Sequence, residues 1–303
     1  MNEYKKFLGR PDLVKNQVER EKLAEQEAAS KKKRSIQEQN RQRFLKYQEQ
    51  LRSELAARYF HSVMSTGGES FSNTKSLNFD GSNDFVDCGD ADNLSFGDGS
   101  TDSPFTFSLW VKVDDLSTGH TLIEKQDSSN NREYVIFIGS DGAIYNNIYS
   151  NGVALNRRGR KTSTGLISSN TWYHIAWTYD GQGGTNASDG IKIYLDGTRV
   201  DNTNNQKNSY VAMKNTSNPF KIGEFITGNI DEVSVFNSEL SQSDITSIYN
   251  GGVPNDISSL SPLSWYRMGD GDTFPTLTDN GSGGNNGTMT NMDSADIVED
   301  TPG

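Results

Sequence analysis

The sequence has a single cysteine, Cys88, and only three histidines among 303 residues, so an internal disulfide framework is impossible and a Cys/His zinc site lacks ligands. No run approaches the roughly 18 apolar residues of a membrane span. The opening, MNEYKKFLGRPD, lacks the apolar stretch of a secretory signal, and the expectation is a soluble protein made in a reducing cytosol, with no membrane partner. There is no Gly-x-Ser-x-Gly elbow, no His-Glu-x-x-His and no phosphate loop ending in Gly-Lys-Ser/Thr, so common hydrolase, metalloprotease and nucleotide-binding signatures are missing. An apolar fraction of 32% fits one sizeable core with much polar surface or extension.

What is present is unevenly distributed. Residues 1 to 60 carry 15 Lys/Arg against 9 Asp/Glu, a net of +6, and the other 243 carry 14 against 31, a net of -17. Together these make the overall -11. Of 29 glycines only Gly9 lies in the first sixty residues, and all four tryptophans (Trp110, Trp172, Trp177, Trp265) lie beyond it. Such a change in charge sign, glycine and aromatic content predicts a boundary, with STGGES at 65–70 as linker.

The first part reads as helix. Asp12 can cap it, and from Leu13 to Phe60 there is neither Gly nor Pro among many Lys, Arg, Glu, Gln and Ala. Such a helix would extend roughly 70 Å at 1.5 Å per residue. Phe44, Tyr47, Leu51 and Leu55 recur at three- and four-residue steps and form a stripe able to meet a partner helix. The stripe is too thin for a monomeric bundle, which predicts an arm stabilised by other copies of the chain, as a dimer or trimer, or by a larger body. The basic run Lys31 to Arg34 reads as a solvated helix face; without a motif or interleaved aromatics, nucleic acid is not an expected partner.

From Ser76 the pattern turns to alternation. Short runs rich in Val, Ile, Tyr, Phe and Trp are separated by Gly, Asn, Asp and Ser, predicting strands near 76–80, 84–88, 105–113, 120–125, 132–138, 142–148, 171–179, 190–195, 219–223, 228–236 and 262–268. Asp80-Gly81, Asp141-Gly142, Asp180-Gly181 and Asp196-Gly197 supply hairpin positions. Many strands with almost no helix between them predict two packed antiparallel sheets, a sandwich or jelly roll. One helix is expected at Ser241 to Tyr249, with Ser241 as N-cap, Asp244 in the capping box and Gly251 beyond the end.

The segments SLNFDGSNDFVDCG (76–89), FTFSLWVKV (105–113), NTWYHIAWTYDG (170–181), IKIYLDGTRV (191–200), FKIGE (220–224) and GNIDEVSVFNSELSQSDITSIYNGG (228–252) resemble, in this order, laminin-G-like, concanavalin A-like jelly rolls. The closing WYRMGDGD with TDNGSGGNNGTMTN also resembles laminin-G-like proteins of marine phages. The expected organisation is therefore a helical anchoring or oligomerisation arm at 1–62 and a linker at 63–74. A laminin-G-like jelly roll follows at 75–270, then a Gly/Asn/Asp-rich extension at 271–303 that packs on the jelly roll or is partly flexible.

Few residues in this part invite chemistry. In NTWYHIAWTYDG, alternation puts Trp172, His174 and Ala176 on one face and Tyr173, Ile175, Trp177 and Tyr179 on the other, so His174 reads as a core histidine of a strand covered on both sides. Some jelly rolls of this type are glucanases with a Glu-x-Asp-x-Glu strand, which this sequence lacks; in Asp231-Glu232 the adjacent side chains should point to opposite faces. Laminin-G-like domains often hold a structural calcium near the FDG turn and the IDE segment, so the resemblance implies Ca2+ at Asp80 and Asp231 with Asn229 nearby, while Asp80 can equally build its own Asx turn. NRRGRKT at 156–162 reads as a loop in which Arg157, Arg158, Arg160 and Lys161 offer an anionic-glycan contact or pair with neighbouring acids.

These readings predict a phage virion structural protein of fibre or appendage type. Its arm would join other virion proteins and further copies of itself, and its jelly roll would be exposed on the particle for host-surface polysaccharide. The alternatives are a capsid or tail decoration protein making protein contacts only, and a polysaccharide-degrading enzyme.

Overall fold

A computed structural model describes residues 71–127, 131–150, 156–205 and 209–303, together with Lys22 and Lys31, which are helical and exposed. The chain divides into two units, Met1–Ser70 and Phe71–Gly303. Apart from Lys22 and Lys31, the expected arm, including Phe44, Tyr47, Leu51 and Leu55, lies outside the described residues.

The second unit is a two-sheet antiparallel sandwich of the jelly-roll kind. In chain order its strands are β1 (Ser76–Asp80), β2 (Phe85–Asp87), β3 (Phe105–Val113), β4 (His120–Gln126), β5 (Arg132–Ile138), β6 (Ile144–Tyr149), β7 (Arg157–Thr162), β8 (Tyr173–Tyr179) and β9 (Ile191–Leu195). They continue with β10 (Thr198–Arg199), β11 (Asp201–Asn204), β12 (Lys221–Ile222), β13 (Thr227–Phe236), β14 (Ser264–Tyr266), β15 (Thr276–Leu277), β16 (Gly287–Thr290) and β17 (Ile297–Val298). One sheet runs β10-β9-β8-β3-β13-β1-β17, with β14 also on β13; the other runs β11-β7-β6-β5-β4-β12-β2-β16-β15. The first has eight strands and the second nine. Among the described residues no helix is long and apolar enough to cross a membrane.

The predicted strands hold, with ends shifted by a few residues. Strands β7, β10, β11, β15, β16 and β17 were not expected as strands, because RRGRKT, DNTN and GTMT carry no apolar alternation and are recruited by backbone pairing to neighbours. Residues 271–303 place β16 beside β2, β15 beside β16 and β17 beside β1, so they extend both sheets.

Alternation builds the core between the sheets. Phe105, Phe107, Tyr134, Trp177 and Phe220 are essentially fully buried, and the Phe105 ring meets Trp177 edge-on at 5.0 Å. Each such side chain contributes about 1.5–3 kcal/mol of burial free energy. A second, smaller apolar cluster lies on the outer side of the eight-stranded sheet. There α1 (Gln242–Tyr249) lays Ile245 and Ile248 over Ala176, Tyr194, Phe236 and Trp265. This helix starts as expected: Ser241 Oγ accepts from the Asp244 N–H, and the Asp244 carboxylate accepts from the Ser241 N–H. It stops where Asn250 and Gly251 adopt left-handed backbone.

Candidate functional site

The two sheets present different outer faces. On the eight-stranded sheet, α1 and the chain around Ile257 cover the polar side chains that alternation turns away from the core. His174 is fully buried there, hydrogen-bonded through Nε2 to Ser108 Oγ at 2.7 Å, and burial pushes its pKa down to about 3, so it stays neutral. It is the core histidine that the sequence predicts.

The Asp231-Glu232 pair differs from expectation. The β13–β3 register shifts between Asp231 and Ser234, and Glu232 takes a φ of 48°, a bulge. Asp231 lies across from Trp110, while Glu232 accepts from Trp265 Nε1 at 2.6 Å and Arg267 Nε at 3.2 Å, so both carboxyls are on the outer side. Asp231 accepts from Asn73 Nδ2 at 2.7 Å and from the Glu232 N–H. Burial, then the neighbouring Glu232, holds Asp231 well above the carboxylate range, and burial pushes Glu232 up to about 7 against the pull of Arg267. Both groups are internal and hydrogen-bonded, and Glu232 lines a small crevice with Trp110, Ile248, Asn255 and Ile257.

The three residues implied for calcium do not fit that ion. Asp80 pairs with Thr227 in the β1–β13 ladder, four residues from Asp231, so the two carboxyls are about 13 Å apart along the strand. Asp80 instead closes its own turn, accepting from the Ser82 N–H at 2.7 Å. Asn229 is buried and donates to Ser76 Oγ at 3.1 Å. Among the described residues no three His, Cys, Asp or Glu side chains converge as a metal site.

The outer face of the nine-stranded sheet is different. Its inner side is fixed by Val86, Ile222, Ile123, Ile136 and Ile148, all in the core. Register then places Asp87, Lys221, Glu124, Val135, Asn147 and Gly159 in one outward row across six strands. Beside it runs a second row of Thr121, Phe137, Tyr145 and Lys161, and across β6 and β7 a third pair, Tyr149 and Arg157. Phe137 and Tyr145 are half-buried and stack with ring centroids 4.8 Å apart and planes 5° apart. Lys161 Nζ lies 5.5 Å from the Tyr145 ring centre. Gly159, between Arg157 and Lys161, admits no side chain, because a Cβ there would collide with the Asn146 carbonyl and stand 2.6 Å from Asn147 Oδ1.

The predicted basic loop is thus a strand, and period-two alternation divides it. Arg157 and Lys161 share the outer face. Arg158 is buried, donating through Nε to the Thr185 carbonyl at 3.0 Å, and Arg160 pairs with Asp201 at 2.6 Å. Of the four glycan candidates, Arg158 is buried and Arg160 ion-paired, whereas Arg157 and Lys161 are half-buried on the outer face.

Toward β12 the same face turns acidic. Burial, then the neighbouring Glu224, pushes Glu124 up to about 8, so at neutral pH it keeps its proton and donates a hydrogen bond to Glu224. Burial opposes ionisation of Glu224, but the hydrogen bonds from Glu124 and Lys221 prevail and hold it below the usual range. Lys221 donates to both Glu224 oxygens at 3.1 Å and lies 4.7 Å from the Phe85 ring centre.

Phe137, Tyr145, Tyr149 and Glu124 were not singled out from sequence. The signal was present in AIYNNIYS, where Ile144 and Ile148 share one parity and Tyr145, Asn147 and Tyr149 the other. Only the pairing partners show that the second parity joins Phe137 and Lys161.

Comparison with known proteins places this sheet pair in a family context. The family model described as concanavalin A-like lectin/glucanases superfamily, Laminin_G_3, matches residues 80–246. No curated protein matches. Among solved structures, a Bacteroides ovatus protein provisionally named as carbohydrate binding is 20% identical with a TM-score of 0.49, the match covering 77% of this chain and 62% of that one. The binding domain of botulinum neurotoxin serotype D is 17% identical with a TM-score of 0.43, covering 61% and 44%. The carbohydrate-binding module of a Ruminococcus gnavus sialidase, bound to α2,3-sialyllactose, is 9% identical with a TM-score of 0.39, covering 60% and 100%. These are distant likenesses, and none of them fixes a ligand for this chain.

Proposed function

We propose that this chain, which belongs to the concanavalin A-like lectin/glucanases superfamily, is a carbohydrate-binding protein that takes sugar chains on the outer face of its nine-stranded sheet. The observation that carries this reading is the stacked Phe137–Tyr145 pair, half-exposed on an otherwise polar face and flanked by Lys161 and Asn147. A sugar ring offers an apolar face and a polar rim, and an aromatic plane bordered by hydrogen-bonding side chains suits both. Titrating the protein against immobilised glycans tests it. Binding that Tyr145→Ala and Phe137→Ala each weaken tenfold or more supports the reading; binding unchanged by both refutes it.

The same proposal places the chain on a phage particle, the arm attached to other virion proteins and the sandwich presented to a host-surface polysaccharide. Support comes from the +6 charge and apolar stripe of the first sixty residues and from the closing phrase's resemblance to phage proteins. Removing residues 1–60 is expected to leave a folded monomer, and an unchanged oligomeric state would remove the arm's assembly role. Imaging of the parent particle distinguishes a displayed adhesin from a decoration protein held flat by protein contacts.

A further inference from the structure

Resting on the reading of this face as sugar-binding, we infer that its ligand is an acidic glycan whose carboxylate or sulfate sits at Arg132 and Arg157 beside Tyr149. The cations of this domain are typically ion-paired, as in Lys125–Glu133, Lys192–Glu239, Arg160–Asp201 and Arg267–Glu232. Arg132 and Arg157 make no ion pair among the described residues, and Lys161 has only the more distant Asp141 as an acidic neighbour. All three instead gather around the tyrosines of β6.

Arg132 holds its guanidinium 5.6 Å from the Tyr149 ring centre, and Arg157 is directly across the β6–β7 ladder from Tyr149. Arg157 donates through Nη2 to Asn205 Oδ1 at 3.3 Å, and Asn205 donates in turn to Asn147 Oδ1 at 2.8 Å. The Nε–H groups of Arg132 and Arg157 are both shielded from solvent and lack an acceptor among the described residues. A shielded donor without an acceptor costs free energy that an incoming oxygen recovers. Guanidinium forks match the paired oxygens of a carboxylate or sulfate, and the aromatic and amide contacts hold them in place. Tyr149, buried yet in neither apolar cluster, serves as their support.

Lys161 adds a second cation on the same face. It lies four residues from Arg157 along β7, about 13 Å away, with the Phe137–Tyr145 stack beside it. That span exceeds one sugar ring and suits a polymer carrying a charge on separated residues. Residues 61–303 are net -17, so the general field of this part repels polyanions. Attraction at this spot has to be local.

The test uses the full chain and two matched pairs of polymers, polygalacturonate with its methyl ester and dextran sulfate with dextran, alongside an array of neutral and acidic glycans. The expected result is that an acidic member binds at least tenfold more tightly than its neutral counterpart, and that added salt weakens it. Arg132→Gln and Arg157→Gln should each remove most of that preference while leaving the melting temperature nearly unchanged. Arg157→Lys, which keeps the charge and loses the fork, is expected to retain only part, and Lys192→Gln, a cation of β9 in the eight-stranded sheet, to lose none. Which pair responds separates carboxylate from sulfate. Equal affinity for acidic and neutral glycans, or equal losses from Lys192→Gln, overturns the inference and leaves the general sugar-binding reading standing. Absence of any glycan binding overturns both.

Discussion

The two outer faces of this sandwich start from the same rule, that every second residue of a strand points away from the core, and end with opposite uses. On the eight-stranded sheet the outward residues are Ser108, Trp110, His174, Ala176 and the Asp231-Glu232 bulge, and α1 seals them. On the nine-stranded sheet they are Phe137, Tyr145, Lys161, Asn147 and Arg157, and the second apolar cluster has no counterpart over them among the described residues. The lesson is that polar and aromatic residues on a strand acquire meaning from what lies above them. A histidine under a helix is neutral packing, whereas a tyrosine on an open face is a platform.

The largest effect that would sharpen this contrast is expected on the sealed side. Trp265 is 6% exposed, packs in the outer cluster and donates to Glu232. Trp265→Ala should cost about 3–5 kcal/mol of unfolding free energy, measured by denaturant titration, with glycan affinity unaltered in the folded fraction. A loss of affinity at full folding would mean that the sealed face takes part in binding.

Next comes a pH effect on the same side. Glu232, raised to about 7 from an unfolded value near 4.5, binds more protons folded than unfolded between those values. Stability is therefore fully present below about pH 4.5, falls as pH rises toward 7 and is level above it. Glu232→Gln should remove a slope on the order of 1–3 kcal/mol across this window. An unchanged slope would place the titration elsewhere.

On the open side the signs reverse between stability and binding. Tyr145→Ala should reduce glycan affinity by about 1–3 kcal/mol, the scale of stacking losses in other ligand systems, while shifting unfolding by less than that. The smallest effect belongs to the helix that makes the faces differ: Ser241→Ala removes the N-cap and should cost about 1 kcal/mol, again without touching affinity.

Legibility in the sequence follows the same division. The strands with apolar alternation, from SLNFD to TGNIDEVSVF, were readable because burial on one face imposes a period of two. The capping box of α1 was readable because its residues are local, Ser241 and Asp244. Strand β7 was not, since RRGRKT owes its extended form to β6 and β11 rather than to its own side chains. For the same reason Arg157 and Lys161 could not be separated from Arg158 and Arg160 before the pairing was known. The Asp231-Glu232 arrangement was hidden by the bulge, which breaks the alternation that the sequence argument relied on. The spacing of Asp80 and Asp231 was equally out of reach, since only the β1–β13 register shows that four ladder positions separate them.

The central claim, that ligand meets the open face, is tested most directly by residue-resolved NMR of the labelled protein during titration with a binding glycan. The account predicts shift changes concentrated at Phe137, Tyr145, Asn147, Tyr149, Arg157 and Lys161, with α1 and His174 unmoved. Changes centred on α1 and Trp265, or confined to the 81–84 turn, would contradict it.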